Sequence, residues 1–445
     1  MYLYNSLTRK KEILIGKKIR MYVCGVTVYD RPHLGHALST VTFDVLHRYL
    51  EFIGHEVKRV QNFTDVDDKI IARAKELKIS PIEVAEKYIH AFFQDMDELG
   101  VRRADVHPRA TEDMSEIINL IETLVQKNAA YETNGSVYFD INYDKGYGRL
   151  SRRKLNEMLE NTRTQSEPEK RNPADFALWK AAKPEEIHWQ SPWGLGRPGW
   201  HIECSAMVKK HLGNEIEIHG GGLDLIFPHH ENEITQSQSA NDSDLFSKFW
   251  VHNGLLKRSG DEKMSKSLGN SYDVRDALDK YSGNCIRLWI LQSHYRQPSN
   301  LDEDSLENAE SSLKRIERIL TLKGVDGFDT KNYEERFITA MNDDLGTPSA
   351  IAIIFELTHD INKHFSQTKK VNEGINLLYK LGSVLGFDFD KSNNFDDKEI
   401  NRMIESRNRF REEKNYQKAD QIRDQLLEKG IEILDSKEGT HYRKI

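Results

Sequence analysis

The sequence Arg20-Met-Tyr-Val-Cys-Gly-Val-Thr-Val-Tyr-Asp-Arg-Pro-His-Leu-Gly-His36 decides the fold, because it starts as a buried strand and ends where a helix begins. Residues 20–26 are mostly apolar, which is typical of a strand covered on both faces. Residues 37–53 carry apolar side chains at helical spacing, and Gly54 is placed to end that helix. Residues 56–61 follow as a second strand. A strand, a crossover helix and a strand predict a parallel sheet.

The alternation of helix and strand continues further along the chain. Ser80-Pro-Ile-Glu83 is a capping box with proline at the first helical position, so another helix begins there. Strand patterns return at residues 215–219 and 249–257, and beyond about residue 305 the pattern is helical. We therefore predict an α/β protein with a Rossmann-like parallel-sheet catalytic domain, an insertion, a mainly α-helical C-terminal region and a small C-terminal module.

The length of 445 residues exceeds what one core ordinarily supports, which favours several domains. A hairpin signal at Asn134-Gly135 lies in the looser region that we interpret as the insertion. The predicted boundaries are 1–110 for the first half of the catalytic domain, 111–200 for the insertion, 201–255 for its second half, 256–310 for a lysine-bearing loop region, 311–395 for a helical domain and 396–445 for the small module.

The formal net charge of −7 argues against general, sequence-independent nucleic-acid binding, which normally needs a basic excess. A local basic stretch over residues 145–171 leaves two interpretations open, an RNA contact or a solvated loop. No apolar run approaches the roughly 20 residues of a membrane span, and the N-terminus lacks a signal-peptide pattern. The cytoplasm is therefore the expected location.

Three cysteines, Cys24, Cys204 and Cys285, are too sparse for a disulfide framework. Cys285 is interpreted as a small core residue. Cys24 lies near the end of the first strand, and Cys204 lies in Gly199-Trp-His-Ile-Glu-Cys. With His229 and Glu233 they form a donor set typical of tetrahedral zinc. Their sequence separation does not prove that they converge, but strand ends and loops of an α/β sheet meet at its carboxyl edge.

Two further motifs are suited to phosphate. His33-Leu-Gly-His36 opens a helix whose free N–H groups and dipole favour an anion, and Gly35 allows close approach to the backbone, although two histidines near a helix start are often incidental. Lys263-Met-Ser-Lys-Ser267 supplies two cations that stabilise charge on a phosphate chain, unless it is a solvated cluster. In this order the two motifs resemble the signature pair of class I aminoacyl-tRNA synthetases.

Further stretches resemble the cysteinyl-tRNA synthetase family nearly from end to end, among them residues 21–30, Asn62-Phe-Thr-Asp-Val-Asp-Asp-Lys69 and Phe227-Pro-His-His-Glu-Asn-Glu233. Leu34 stands where the commoner signature has isoleucine, and either residue packs the helix start. The resemblance implies that zinc is bound by Cys24, Cys204, His229 and Glu233. It implies that the amino acid is contacted by Thr64, Trp200 and His219. It also implies that ATP is bound by His33, Gly35, His36, Lys263 and Lys266, and that the two histidines and two lysines among these are catalytic.

The resemblance also implies a ligase that forms an adenylate from L-cysteine and ATP and transfers cysteine to the 3′ end of cysteine tRNA. We expect one zinc ion per chain to bind the substrate thiolate and so exclude serine, and Mg²⁺ to accompany ATP. Residues 256–310 are expected to contact the tRNA stem and residues 311–395 to bind the anticodon. No membrane partner is expected, and the family likeness suggests a monomer.

Three alternative functions fit parts of the sequence. Gly194-Leu-Gly-Arg-Pro-Gly199 fits a dinucleotide-binding pattern, but we identify no preceding strand and Pro198 opposes a helix. A zinc hydrolase is disfavoured because His230-Glu231 is not followed by the required second histidine. A cysteine ligase that acts on a sugar amine shares the adenylating core and is the main alternative, although it lacks the long C-terminal region present here.

Overall fold

The structure is a computed structural model that describes residues 1–153, 169–184, 186–258, 272–301, 303–389, 397–412, 415–428, 431–436 and 439–444. The chain separates into two compact units, Met1–Asp388 and Phe389–Ile445, which are described one at a time.

The strands in the described part of the chain are, in order, β1 (Tyr2–Asn5), β2 (Lys10–Ile13), β3 (Lys18–Thr27), β4 (Glu56–Thr64), β5 (Ala130–Thr133), β6 (Ser136–Phe139), β7 (Phe176–Ala181), β8 (Trp189–Ser191), β9 (Gly194–Pro198), β10 (Ile216–Gly222), β11 (Ser247–Asn253), β12 (Leu256–Arg258), β13 (Ser299–Leu301), β14 (Ile431–Ser436) and β15 (Gly439–Lys444).

The α-helices in the same residues are α1 (Leu34–Phe52), α2 (Asp68–Leu77), α3 (Pro81–Glu98), α4 (Met114–Gln126), α5 (Trp200–Leu212), α6 (Glu231–Asn241), α7 (Val274–Leu278), α8 (Gly283–Leu291), α9 (Glu303–Leu320), α10 (Lys331–Asn342), α11 (Thr347–Gln367), α12 (Asn372–Val384), α13 (Asp397–Glu412) and α14 (Tyr416–Glu428).

The centre of the larger unit is a parallel sheet with strand order β11-β10-β3-β4. Met21, Tyr22 and Val23 on β3 are completely buried, as expected for a strand covered on both faces. Helix α1 contacts β4, β10 and β11, and α5 contacts β3 and β4. The predicted α/β class with a parallel sheet is therefore confirmed.

The local helix signals agree with the structure. Ser80 and Glu83 form the reciprocal capping box of α3, with Pro81 at the first helical position. Helix α1 begins at Leu34, three residues before the start of the apolar periodicity, because His33 caps it. The polar cap at His33, and not the apolar pattern, therefore determines where α1 begins.

The insertion contains an antiparallel sheet with strand order β5-β6-β7-β9-β8. The hairpin at Asn134-Gly135 is confirmed, and both residues have positive φ as this tight turn requires. Our statement that no strand precedes Gly194 was wrong, because β8 ends at Ser191. The dinucleotide-binding interpretation still fails, since Gly194 and Gly196 lie in an antiparallel strand and not in a strand-to-helix turn.

The single strand expected at residues 249–257 is instead two strands, β11 and β12, which belong to different sheets. The division occurs at Gly254, where a Cβ atom would lie only 2.2 Å from the carbonyl oxygen of Gln297. This close approach turns the chain, so that β12 pairs with β13. A contact with a residue distant in sequence therefore decides the break.

From α9 onward the larger unit is helical, as predicted, and apolar side chains at helical spacing there are largely buried, including Leu313 and Ile316 on α9 and Ile351 and Ile354 on α11. In the smaller unit, α13, α14 and the β14–β15 hairpin surround a small core. In the part of the chain that the structure describes, no helix combines the length and the apolar character needed to cross a bilayer.

A buried ion pair joins α1 to the helical region. The guanidinium of Arg287 on α8 donates to Asp44 of α1 at 2.7 Å and to the carbonyl oxygens of Leu99 and Leu385. Both charged side chains are completely buried. Burial alone raises the pKa of Asp44, but the guanidinium groups of Arg287 and Arg48 outweigh this effect and lower it.

Asp44→Asn is expected to lower the free energy of unfolding by about 3–5 kcal/mol, because it leaves the buried guanidinium of Arg287 without its carboxylate. Since the pKa of Asp44 is lowered by folding, its stabilisation is present above about pH 4 and is lost as the pH falls through the lowered pKa. Urea unfolding at several pH values measures both effects. Glu334→Gln, at an exposed pair with Lys380, is the control and should cost about 0–1 kcal/mol. Equal small losses in both variants would contradict the role of Asp44.

Candidate metal and nucleotide site

The predicted site residues lie at the carboxyl edge of the parallel sheet. Cys24 lies in the second half of β3, Thr64 is the last residue of β4 and His219 is at the middle of β10; each is buried. Parallel strands direct their carboxyl ends to one edge, where open α/β sheets bind ligands. The topology therefore brings together residues that are far apart in the sequence.

Cys24, Cys204, His229 and Glu233 converge into one buried cluster whose donor atoms all lie within 4.8 Å of one another. The two sulfur atoms are 3.9 Å apart, and Sγ of Cys24 lies 3.4 Å from Oε1 of Glu233. Nε2 of His229 lies 3.1 Å from the same oxygen. Cys204 comes from α5, whereas His229 and Glu233 sit one helical turn apart around the start of α6.

These distances fit a tetrahedral zinc ion. Bond lengths of about 2.3 Å to sulfur and about 2.1 Å to nitrogen and oxygen give tetrahedron edges of about 3.8 Å for S–S, 3.6 Å for S–O and 3.4 Å for N–O. The corresponding distances in the cluster are 3.9, 3.4 and 3.1 Å. Oε2 of Glu233 is also buried and lies 3.3 Å from Nε2 of His219, so the whole carboxylate faces polar groups of this cluster.

A second set, Cys24, His219, His230 and Glu233, shares two of these donors. Nε2 of His230 lies 4.0 Å from Oε1 of Glu233, which is longer than the tetrahedron edge of about 3.4 Å. The first set contains two sulfurs and matches the expected edges more closely. The geometry therefore favours Cys24, Cys204, His229 and Glu233.

Burial and the neighbouring polar groups shift the pKa values of the cluster residues. It raises the pKa of the Cys24 thiol well above its ordinary value and lowers the pKa of His229 to about 3. The hydrogen bond from Cys24 favours the Cys204 thiolate, but burial and Glu233 outweigh it and raise that pKa too. Burial also acts to raise the pKa of Glu233, yet the imidazoles of His219 and His229 lower it overall. A cation bound by these groups therefore displaces the thiol protons.

Two of the three residues assigned to the amino acid, Trp200 and His219, contact this cluster. The indole of Trp200 stacks on His229 with ring centroids 4.3 Å apart and is 38% exposed, so one side of it remains accessible. His219 stacks on Trp250 at 4.4 Å, and its Nε2 lies 3.5 Å from Sγ of Cys24. Thr64 ends β4 beside Thr27 of β3. The three residues thus lie near the carboxyl edge of the sheet.

Three further histidines at this edge were not recognised as site residues from the sequence. His201 contacts His229, with their Nδ1 atoms 2.9 Å apart. His230 contacts Cys24 through Nε2 at 3.3 Å and His252 through Nδ1 at 2.8 Å. His252 is the penultimate residue of β11, but the strand predicted over residues 249–257 placed it away from a strand end, so no signal in the sequence indicated it.

His33 and His36 cap the first turn of α1 reciprocally. The backbone N–H of His36 donates to Nδ1 of His33 at 3.3 Å, and the backbone N–H of His33 donates to Nδ1 of His36 at 3.1 Å. The two rings stack with centroids 3.7 Å apart. Because each Nδ1 accepts a hydrogen bond, the proton of each neutral imidazole resides on Nε2. Both rings therefore offer an Nε2–H donor at a helix N-terminus.

Gly35 is required by this arrangement. A Cβ atom at position 35 would lie 2.9 Å from Cε1 and Nδ1 of His33, so any side chain would push against the capping ring. Leu34 is completely buried and anchors the same turn. The spacing of the motif is therefore explained by the capping geometry.

Lys263 and Lys266 lie outside the described residues, but the residues on either side of that segment contact the histidine motif. The backbone N–H of Leu34 donates to the carbonyl of Tyr272 at 3.0 Å, and the backbone N–H of Val274 donates to that of Pro32. Before the segment, Leu256 lies against Gly35. The described residues that flank the lysine-bearing segment therefore lie beside the start of α1.

Comparison with protein-family models gives three matches. Residues 10–311 match the model described as tRNA synthetases class I (C) catalytic domain, and residues 336–390 match the DALR domain. Residues 397–443 match the model described as Cysteinyl-tRNA ligase anticodon binding domain. The three matches together span most of the chain.

Curated proteins of similar sequence include the cysteine–tRNA ligases of Dehalococcoides mccartyi (45% identical, 100% of this chain and 99% of that protein), Thermococcus gammatolerans (44%, 100% and 99%) and Clostridioides difficile (44%, 100% and 100%). The similarity therefore covers both chains nearly completely.

Among solved structures, the fold resembles methionyl-tRNA synthetase of Mycobacterium tuberculosis in complex with methionyl-adenylate, with a TM-score of 0.59 and 14% identity over 83% of this chain and 90% of that one. It also resembles LeuRS of Agrobacterium radiobacter K84 in a ternary LeuRS–tRNA–LeuAMS complex, with a TM-score of 0.58 and 11% identity over 83% and 84%. At these identities the likeness concerns the fold alone.

X-ray absorption of the zinc-loaded protein is expected to give two sulfur ligands at about 2.3 Å and two lighter ligands. Cys204→Ser should leave one sulfur, because its hydroxyl is a poor ligand for this soft site. Cys285→Ser is the matched control, since Cys285 is equally buried but contacts Leu306 on another helix. A single sulfur in the unmodified protein would favour the alternative set with His219 and His230.

Proposed function

The chain belongs to the cysteine–tRNA ligase family of class I tRNA synthetases, and from that premise we propose that it activates L-cysteine with ATP and transfers it to cysteine tRNA. The single observation that supports the choice of amino acid best is the buried cluster of two sulfurs, one imidazole and one carboxylate. No other cluster in the described residues combines two cysteines with a carboxylate and an imidazole.

In this proposal Cys24, Cys204, His229 and Glu233 hold one zinc ion per chain. The ion supplies a soft Lewis acid that accepts a thiolate readily and an alcohol poorly. An apolar pocket alone separates near-isosteric amino acids by only about a hundredfold, so shape is a weak basis for rejecting serine. The donor set therefore accounts for selectivity without a separate editing site.

We assign the binding of the amino acid to Thr64, Trp200 and His219. Thr64 offers a hydroxyl at the end of β4, and Trp200 offers an indole whose ring already packs on His229. His219 is held by stacking on Trp250, within 3.5 Å of Cys24. These side chains surround the substrate from three elements of the fold and orient its carboxylate toward the nucleotide.

The phosphates of ATP, with Mg²⁺, are assigned to the start of α1. His33 and His36 donate Nε2–H to phosphate oxygens, and Gly35 leaves room for the close approach. Lys263 and Lys266 stabilise negative charge on the leaving pyrophosphate. The cysteine carboxylate attacks the α-phosphorus, the bond to the β-phosphate oxygen breaks, and cysteinyl-adenylate forms. The terminal 2′-hydroxyl of the tRNA then attacks the acyl carbon and releases AMP.

The acceptor is proposed to be tRNA and not a sugar amine. The C-terminal residues that distinguish the two acceptors match domain models, and one of these is described as an anticodon-binding domain. That match falls on residues 397–443, whereas the family resemblance led us to expect anticodon binding at residues 311–395. We therefore propose that the small C-terminal unit contacts the anticodon. On the basis of the family likeness, we also propose that the chain acts as a monomer.

Pyrophosphate exchange is expected only with cysteine among the twenty amino acids, and zinc removal should abolish cysteine activation or reduce its preference over serine by at least about a hundredfold. Charging of cysteine tRNA, compared with transfer to glucosamine, identifies the acceptor. Zinc-free protein that still prefers cysteine by the original factor would refute the role of zinc, and exchange driven by another amino acid would refute the substrate.

His33→Asn is expected to reduce the rate of adenylate formation about 100-fold while leaving stability within a few tenths of a kcal/mol. Asparagine retains an acceptor at the position of Nδ1 and so preserves the cap, but it has no donor at the position of Nε2. Single-turnover kinetics and thermal unfolding give the two quantities.

The matched control is Ser80→Ala, which removes the corresponding cap of α3. It should cost about 1 kcal/mol of stability and leave the rate unchanged. A His33→Asn protein with the unmodified rate would contradict the phosphate role of His33.

A further inference from the structure

A line of hydrogen-bonding groups leads from the N-terminal segment to the metal cluster. Oγ of Ser6 lies 2.8 Å from Nδ1 of His252, and Nε2 of His252 lies 2.8 Å from Nδ1 of His230. Nε2 of His230 lies 3.3 Å from Sγ of Cys24. We call Ser6, His252 and His230 the imidazole relay.

The surrounding backbone fixes this relay. His252 lies on β11 directly beside Gly221 of β10, where a Cβ atom would come within 3.0 Å of the His230 ring. The backbone N–H of Ser6 donates to the carbonyl of Trp250 at 2.8 Å. His230 is completely buried and His252 is 3% exposed, so water does not compete for the two inner contacts.

The chemistry of sulfur determines which atom is the donor in each hydrogen bond of the relay. A cysteine that binds a metal does so as a thiolate, which accepts hydrogen bonds and donates none. Nε2 of His230 must therefore carry a proton, and the Nδ1 of a neutral ring must accept from His252. By the same count His252 donates through Nε2 and accepts at Nδ1 from the hydroxyl of Ser6. Each group then has one defined role.

We propose that Ser6 and His252 are positioning residues that fix the tautomer and orientation of His230, so that His230 donates a hydrogen bond to the Cys24 thiolate and strengthens zinc binding. This inference rests on the zinc site of the proposed function. Partners of this kind outside the ligand set typically change metal affinity by about 10–100-fold. The hydroxyl of Ser6 thus acts on the metal indirectly, through the rings of His252 and His230.

The test measures the rate at which zinc passes from the full-length protein to a chelator, together with the thiolate-to-cobalt charge-transfer band after cobalt substitution. His252→Phe keeps a buried ring but removes both contacts, and zinc loss should be at least about 10-fold faster. Ser6→Ala removes only the outermost donor and should give a smaller increase, about threefold. In both variants the charge-transfer band should shift to lower energy, because a thiolate without its hydrogen bond donates charge more easily.

The controls separate this effect from a loss of packing. Ser6→Thr retains the hydroxyl and should restore the unmodified zinc-loss rate. Ser247→Ala removes a buried serine hydroxyl on β11 that donates to the carbonyl of Phe249 outside the relay, and it should leave both readouts unchanged. Ser6 is only half-buried, so its variant is informative even where His252→Phe fails to fold.

Unmodified zinc-loss rates and an unshifted cobalt band in Ser6→Ala and His252→Phe would overturn the relay while leaving the zinc site and the proposed function intact. An unmodified protein that binds no zinc would instead overturn the zinc site, and the relay with it. A faster loss in Ser6→Ala that Ser6→Thr reverses supports the relay.

Discussion

The carboxylate of Glu233 is completely buried among imidazoles and thiols, and it makes close contacts at 3.1 Å with His229 and at 3.3 Å with His219. A buried charge is costly unless polar groups surround it. Those groups come from β10 and the start of α6, and the nearby thiol comes from β3. The parallel register of β3 and β10 and the position of α6 must therefore be correct together, or the carboxylate is left without partners. The same convergence forms the metal cluster.

Much of the fold was accessible from local sequence. The strand ending at Val26, the capping box at Ser80 and the tight turn at Asn134-Gly135 depend on side chains close in the chain, and each was predicted correctly. The division of residues 249–257 into two strands was not predicted, because it results from the contact of Gly254 with Gln297. The strand before Gly194 was missed because it is short and lies in a hairpin.

The candidate site was likewise only partly predictable from the sequence. The residue types of Cys24, Cys204, His229 and Glu233 indicated a metal, and their meeting followed from the general behaviour of parallel sheets. His252 could not be recognised, since its contact with His230 exists only after β10 and β11 pair side by side. The reciprocal capping by His33 and His36 was also hidden. The motif indicated an anion site, but the sequence does not reveal that the same rings complete the helix N-terminus.

The strand order β11-β10-β3-β4 has a consequence for synthesis on the ribosome. Strand β3 pairs early with its neighbour β4, but its other edge waits for β10, and the contact of Arg20 with Glu217 spans 197 positions of the chain. Until that later strand has emerged, the nascent chain presents an unpaired edge of apolar residues, the kind of surface that chaperones protect. The proposed metal site is completed equally late, because Glu233, the last of its four donors in the sequence, is translated after β10. Completion of that site is thus tied to the later steps of assembling the sheet.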